Sequence, residues 1–266
     1  MRTKTASAKE VRDIISRLPY SVDRYVSIGV VTFPGSGERI PYREIVLQLR
    51  RFFPSENIVL YQKDILILLS QEKQSFTPNL ANVDVEQLSA MLIRYDGILG
   101  VSDKTRRVDF LPTLYLLARK TAFIAFNLHD TLSQSRIVFF QDYGMYCIID
   151  MAVKQYLRNP INTDAAYLIH PAIIKLTLYD AQHGTDLRNT LYYYLTQDRN
   201  LVKSSAVAHV HRNTVLNKIN KITKLIDLNL DNPRLRQKLI LSCQLILYAE
   251  RVMNQSFIDE GSYASE

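Results

Sequence analysis

Several polar side chains between residues 211 and 226 recur at the spacing of one helical face. They are Asn213, Asn217, Lys221 and Lys224, with Thr214 and Lys218 at the margin. An asparagine amide can pair with the major-groove edge of adenine, lysine and arginine bind guanine edges or phosphates, and threonine donates to phosphate or contacts a thymine methyl. These residue types indicate contacts with DNA, and none of them indicates catalysis.

Two short helices joined by a tight turn are predicted to position these residues. Asn200 is a favourable first-turn cap for a helix that ends near Ala208, and the turn falls at His209 and Val210. The second helix is predicted from His211 to Ile226 because apolar residues recur along it at spacings of four, three and four. These apolar residues are Val215, Ile219, Ile222 and Ile226. The pattern predicts a helix-turn-helix whose second helix reads DNA.

The alternative is an ordinary solvent-exposed helix surface, because lysines and asparagines are also typical of such surfaces. The preceding helix favours the DNA-binding interpretation, because small residues allow a second helix to cross closely. The small residues are Ser204, Ser205, Ala206 and Ala208.

Positive charge is concentrated around the predicted helix-turn-helix. The 266-residue chain has a net charge of +7, from 22 − 18 = +4 over residues 1–183, 11 − 5 = +6 over 184–255 and 0 − 3 = −3 over 256–266. The excess per residue is therefore greatest where attraction to phosphates would be useful.

The positions of the two cysteines and the pattern at the start of the chain indicate the cellular compartment. Cys147 and Cys243 lie far apart in apolar runs, which predicts buried core thiols and neither a disulfide framework nor a CxxC metal site. The chain opens without the pattern of a secretory leader and shows no uncharged apolar run of about 18–20 residues, so we expect a cytoplasmic protein.

The hydrophobic pattern divides the chain into five predicted segments. These are an N-terminal helix over 1–19, an α+β domain over 20–141, a helical connector over 142–183, the helix-turn-helix domain over 184–255 and a polar tail over 256–266. Within the second segment the order β-α-β-β-α-β-α-β predicts an antiparallel sheet with helices on it. The fold class is α+β, ferredoxin-like or nucleotide-cyclase-like, followed by an all-α helix-turn-helix domain.

Several short motifs follow one another along the C-terminal half. They are Tyr179 and Asp180, Gly184, Thr190 and Leu191, Tyr194 and Leu195, Val210–Thr214 and Leu228–Pro233. In this order they resemble the PucR/CdaR family of bacterial transcription regulators. The resemblance implies a recognition helix that begins at VHRNT, so that His211, Arg212, Asn213 and Thr214 become candidate DNA contacts.

The layout of the predicted sheet domain is similar to the GGDEF-like middle domain of that family. Family members usually carry an effector-sensing domain before it, and we expect this chain to lack one. The family's Tyr-Arg pair is here Asn217 and Lys218, and its glycine after the recognition helix is here Asp227. In the first helix, Ser205 and Ala208 occupy small or leucine positions.

A catalytic GGDEF domain needs glycines and paired carboxylates in its central hairpin turn, where phosphate and metal ions bind. The turn here reads Tyr61, Gln62, Lys63, Asp64 and Ile65, so we expect a degenerate domain, no enzyme activity and no cofactor. A degenerate domain can still bind a nucleotide or another small ligand, and Lys63 and Asp64 are then the residues to test. His209 and His211 form an H-x-H pair, but two imidazoles alone make a poor metal site, and a structural or phosphate-contacting role is favoured.

The sequence thus predicts a DNA-binding transcriptional regulator with double-stranded DNA as its partner. It is expected to act as a homodimer or higher homo-oligomer. Its activity is expected to be regulated by a small-molecule effector or by a separate sensor protein. The predicted DNA-binding residues are His211, Arg212, Asn213, Thr214, Asn217, Lys218 and Lys221. The alternative is a ligand- or partner-binding regulatory module whose helix-turn-helix does not bind DNA.

Overall fold

A computed structural model describes residues 25–35, 40–72, 80, 83–132, 135–158 and 165–258. They divide into two compact units, one up to Ile148 and one from Ile149 onwards. The predicted N-terminal helix and most of the predicted polar tail lie outside the described residues. Within the described residues, no helix is long and apolar enough to cross a membrane.

The first unit is built on a five-stranded sheet. Its elements in chain order are β1 Tyr25–Thr32, α1 Tyr42–Leu49, β2 Ile58–Tyr61, β3 Asp64–Gln71, α2 Val85–Arg94, β4 Ile98–Thr105, α3 Leu111–Leu132 and β5 Ile137–Phe139. The strand order in the sheet is β2-β3-β1-β4-β5. The predicted element order and the α+β fold class are confirmed.

The sheet is mixed, because β5 pairs with β4 in parallel while the other three pairs are antiparallel. The prediction of an antiparallel sheet therefore holds for four strands and needs correction at one edge. The helix α3 connects β4 to β5, and a helical crossover of this kind returns the chain in the same direction for parallel pairing.

Helices cover both faces of the sheet, so successive residues of β3 are buried on opposite sides. Leu66 and Leu68 pack in a cluster with α3, whereas Ile65 and Ile67 pack in a cluster with α1 and α2. This explains why β3 reads as a continuous apolar run and does not alternate.

The β2–β3 hairpin has a shorter turn than predicted. Its two turn residues are Gln62, in the left-handed region at φ 54°, and Lys63. Asp64, predicted in the turn, is the first residue of β3 and is buried. Its Oδ2 accepts hydrogen bonds from Tyr115 Oη at 2.9 Å and Arg119 Nε at 2.7 Å.

The second unit is helical over its described residues. Helix α4, Phe140–Leu157, crosses from the first unit, and a 3-10 turn at Ala165–Leu168 precedes α5, Pro171–His183. Then follow α6 Leu187–Thr196, α7 Leu201–Val207, α8 Arg212–Ile226 and α9 Pro233–Leu247, which continues as a π-helical turn over Tyr248–Met253. Helix α8 packs against α5, α6 and α7.

Candidate nucleic-acid interface

The predicted helix-turn-helix is formed by α7 and α8. The Oδ1 atom of Asn200 accepts hydrogen bonds from the backbone N–H groups of Val202 and Lys203 at 2.9 and 3.0 Å, which confirms the predicted cap. His209, in the turn, adopts the left-handed conformation at φ 50°. Of the four small residues predicted at the helix crossing, Ser204 is fully buried, whereas Ala206 is exposed.

His211 is the N-cap of α8, and the first helical residue is Arg212. The Nδ1 atom of His211 accepts a hydrogen bond from the backbone N–H of Asn213 at 3.2 Å. An accepting nitrogen carries no proton, so the proton of the neutral ring lies on Nε2. The exposed His211 side chain can therefore donate to a phosphate through Nε2 while it caps the helix.

The predicted apolar stripe of α8 is buried at all four positions, Val215, Ile219, Ile222 and Ile226. The opposite face is exposed and polar. Its members are Asn213, Asn217, Asn220 and Lys224, with Arg212 and Thr214 exposed beside them. None of these six side chains has a hydrogen bond or ion pair among the described residues.

Asn220 was missed by the sequence prediction. It follows Asn213 by seven residues and Asn217 by three, so helical spacing alone places it on the same face. The structure brings the three amides together on one exposed stripe.

Two predicted DNA contacts, Lys218 and Lys221, have partners within the unit. The Nζ of Lys218 lies 4.0 Å from Oδ2 of Asp186 and 3.5 Å from its carbonyl oxygen. The Nζ of Lys221 lies 4.8 Å from the centroid of the Tyr179 ring, which stacks on His183 at 3.9 Å. Partly exposed contacts of these kinds contribute up to about 1 kcal/mol each, so DNA phosphates can compete for both lysines.

The N-terminus of α6 is capped by a residue of α5. Oδ1 of Asp180 accepts hydrogen bonds from Thr185 Oγ1 at 2.6 Å and from Leu187 N at 2.8 Å, and Oδ2 accepts from Arg188 N at 2.8 Å. Asp186, the local N-cap residue, makes no side-chain cap. The Asp180 carboxylate thus links α5 to the start of α6, and both helices pack against α8.

A second link joins α6 to the π-helical turn after α9. Arg188 donates from its two terminal nitrogens to the two carboxylate oxygens of Glu250, at 2.7 and 3.0 Å. Burial opposes the charge of Arg188, but the hydrogen bond and charge of Glu250 outweigh it and raise its pKa. Burial also raises the pKa of the Cys243 thiol to about 12, and both cysteines are buried, as predicted.

We expect Asp227→Gly to stabilise the protein by about 1 kcal/mol. Asp227 ends α8 in the left-handed conformation at φ 46°, which costs a residue with a Cβ atom energy that glycine avoids. Its charge also lies at the negative end of the helix dipole. Chemical denaturation of the full chain measures the gain.

The matched control is Asp227→Asn, which removes the charge and keeps the Cβ atom. It should give less than half of the gain, because the backbone strain remains. A glycine variant no more stable than the asparagine variant would contradict the contribution of the left-handed conformation.

The H-x-H pair and the hairpin turn, which the sequence also indicates as possible ligand sites, differ in their exposure to solvent. His209 and His211 are both exposed, and within the described ranges no group of three or more His, Cys, Asp or Glu side chains could hold a metal ion. Near the hairpin turn, Lys63 is exposed, whereas Asp64 is turned inward to Tyr115 and Arg119. The pKa of Tyr115 is raised, mainly because its hydroxyl is buried and also because it donates a hydrogen bond to the charged Asp64 carboxylate.

Two helices joined by a tight turn, the second with one buried and one exposed polar face, define a helix-turn-helix protein. Residues 187–245 match the family profile described as the PucR C-terminal helix-turn-helix domain. This range runs from the start of α6 into α9 and supports the C-terminal part of the predicted resemblance. Domains of this type bind DNA in transcription regulators and are not catalytic. No curated protein matches the chain at a significant level.

Proposed function

We propose that the protein is a transcription regulator that binds the major groove of duplex DNA with α8. The exposed polar face of this helix carries the proposal, because its side chains have no hydrogen-bonding partners among the described residues. The opposite face of α8 is buried, so the orientation of the polar face is fixed. The match to the PucR domain supports the same assignment.

The proposed contacts separate into positioning and reading. Arg212, the Nε2–H of His211 and the N-terminus of α8 would bind phosphates, and Lys218 and Lys221 would join them on leaving Asp186 and Tyr179. Asn213, Thr214 and Asn217 would contact base edges.

The remaining predictions concern assembly and control. A homodimer or higher homo-oligomer would present two copies of α8 to two half-sites about one helical turn apart. The first unit, proposed as a degenerate GGDEF-like domain, would serve as the dimerisation and relay module for a small-molecule effector or a separate sensor protein. On this proposal the protein has no enzyme activity and acts in the cytoplasm.

The test is binding of the full chain to a labelled 30-base-pair duplex, followed by fluorescence anisotropy over a salt series. Arg212→Ala should weaken binding to all duplexes alike and reduce the slope of log affinity against log salt by about 1. The side chain is exposed and makes no hydrogen bond or ion pair among the residues that the structure describes, so the loss reports on DNA and not on folding.

Arg43→Ala is the matched control, because Arg43 is an exposed arginine of the first unit and its loss changes the net charge equally. An unchanged slope for Arg212→Ala would exclude Arg212 from the interface. No binding by the unmodified chain at low salt would favour the alternative, a ligand- or partner-binding module.

A further inference from the structure

The exposed face of α8 contains three amides in a row. Asn213, Asn217 and Asn220 are separated by four and three residues, so their side chains lie along one line of the helix. All three are exposed, and their side chains make no hydrogen bond within the described part of the chain.

The length of this amide stripe corresponds to a short run of base pairs. At about 1.5 Å rise per residue, Asn213 and Asn220 are about 10 Å apart along the helix axis. Base pairs are stacked about 3.4 Å apart, so the stripe spans roughly three base-pair steps, which is about four base pairs. An asparagine amide donates to N7 and accepts from N6 of adenine, a pairing that guanine cannot provide in the same way.

Residues that read guanine are placed away from this stripe. Arg212 lies about 100° around the helix from Asn213, nearer the buried stripe, and the proposed function assigns it to a backbone phosphate. Lys218 and Lys221 contact Asp186 and Tyr179. Lys224 is on the exposed face but in the last turn, beyond the amides.

Apolar side chains beside the amides point to the same base pairs. Leu216 is 41% exposed, and Val210, in the turn, is 37% exposed. The thymine methyl is the one apolar group on the major-groove edge of the standard base pairs, and apolar side chains read it by contact. The amides and the apolar residues thus independently favour A·T pairs.

We propose that α8 reads an A·T-rich half-site in which Asn213, Asn217 and Asn220 each bind an adenine. This inference rests on the proposed function and specifies its ligand. It assigns Asn220 as a determinant of specificity, and Leu216 as a contact for a thymine methyl.

The test begins with selection of bound duplexes from a random 30-base-pair pool by the full chain. Enriched half-sites should carry A·T pairs at three or more of about four consecutive positions. Each adenine of the selected half-site is then replaced singly by 7-deazaadenine, which keeps base pairing and the minor groove but lacks N7. Each replacement at a contacted adenine should weaken binding by about tenfold.

The asparagine variants assign the contacts. Asn220→Ala should weaken binding to the selected duplex by about tenfold and abolish its sensitivity to one 7-deazaadenine, because each change removes one side of the same pair. Gln237→Ala, which removes an exposed amide from α9, should change neither the affinity nor the sensitivity.

The outcomes separate this inference from the proposed function. Salt-dependent binding with no enriched sequence, or with G·C-rich half-sites, overturns the adenine assignment and leaves the DNA-binding proposal standing. A·T-rich half-sites that tolerate every 7-deazaadenine also overturn it, because the sequence would then be read through minor-groove shape. No binding at low salt overturns the proposed function and this inference together.

Discussion

Replacing Gly100 by alanine is expected to destabilise the first unit by at least about 3 kcal/mol. Gly100 lies in β4 against α3, and a Cβ atom there would lie 2.1 Å from the carbonyl oxygen of Ala118 and 2.9 Å from Cβ of Ala122. The contacted atoms are backbone atoms of α3 and the Cβ atom of Ala122. Because none of them belongs to a flexible side chain, none can move aside by a rotamer change. The helix would have to leave the sheet, where Leu111 and Leu114 are buried.

Hydrogen exchange of the full chain measures this effect locally, and β1, β4 and α3 should lose protection together. Gly144→Ala is the matched control. It places the same methyl group inside α4, where the nearest atoms are those of the Phe140 ring at 3.4 Å. It should raise stability by about 0.5–1 kcal/mol, because alanine favours a helix interior. Unchanged protection in Gly100→Ala would mean that α3 does not approach β4 this closely.

The elements that the sequence predicted well are those whose burial follows a simple period. The buried stripe of α8 repeats Val215, Ile219, Ile222 and Ile226 at helical spacing, and one period predicts both the helix and its orientation. Polar residues opposite such a stripe must be exposed, which is why Asn213 and Asn217 could be found. The same reasoning applied to Asn220 would have completed the amide stripe.

The features that the sequence did not predict depend on contacts between distant segments. The apolar run of β3 indicates a strand, but a run alone does not show that helices cover both of its faces. The parallel pairing of β5 depends on the path of α3 across the sheet. The partner of Lys218 is the N-cap residue of α6 and the partner of Lys221 lies on α5, and no local spacing reveals them.

Asp180→Ala is expected to destabilise the second unit by about 3 kcal/mol. The substitution removes an ionised acceptor from two backbone N–H groups at the start of α6 and from the Thr185 hydroxyl. Hydrogen bonds to a charged group contribute about 1.5–3 kcal/mol, and the carboxylate also favours the positive end of the helix dipole. Hydrogen exchange should show lost protection in α5 and α6, and chemical denaturation gives the free energy.

Asp186→Ala is the matched control, because Asp186 lies six residues after Asp180 in the junction between α5 and α6. Asp186 is exposed, and its carboxylate contacts the Asn189 amide at 2.7 Å and Lys218 at 4.0 Å, so its loss should cost less than about 1 kcal/mol. Because α6 packs against α8, Asp180→Ala should also weaken DNA binding, although the described hydrogen bonds of the Asp180 carboxylate go to Thr185, Leu187 and Arg188 and not to the polar face. Equal losses in the two variants would show that the junction is held by packing, and that the carboxylate of Asp180 does not set the orientation of the recognition helix.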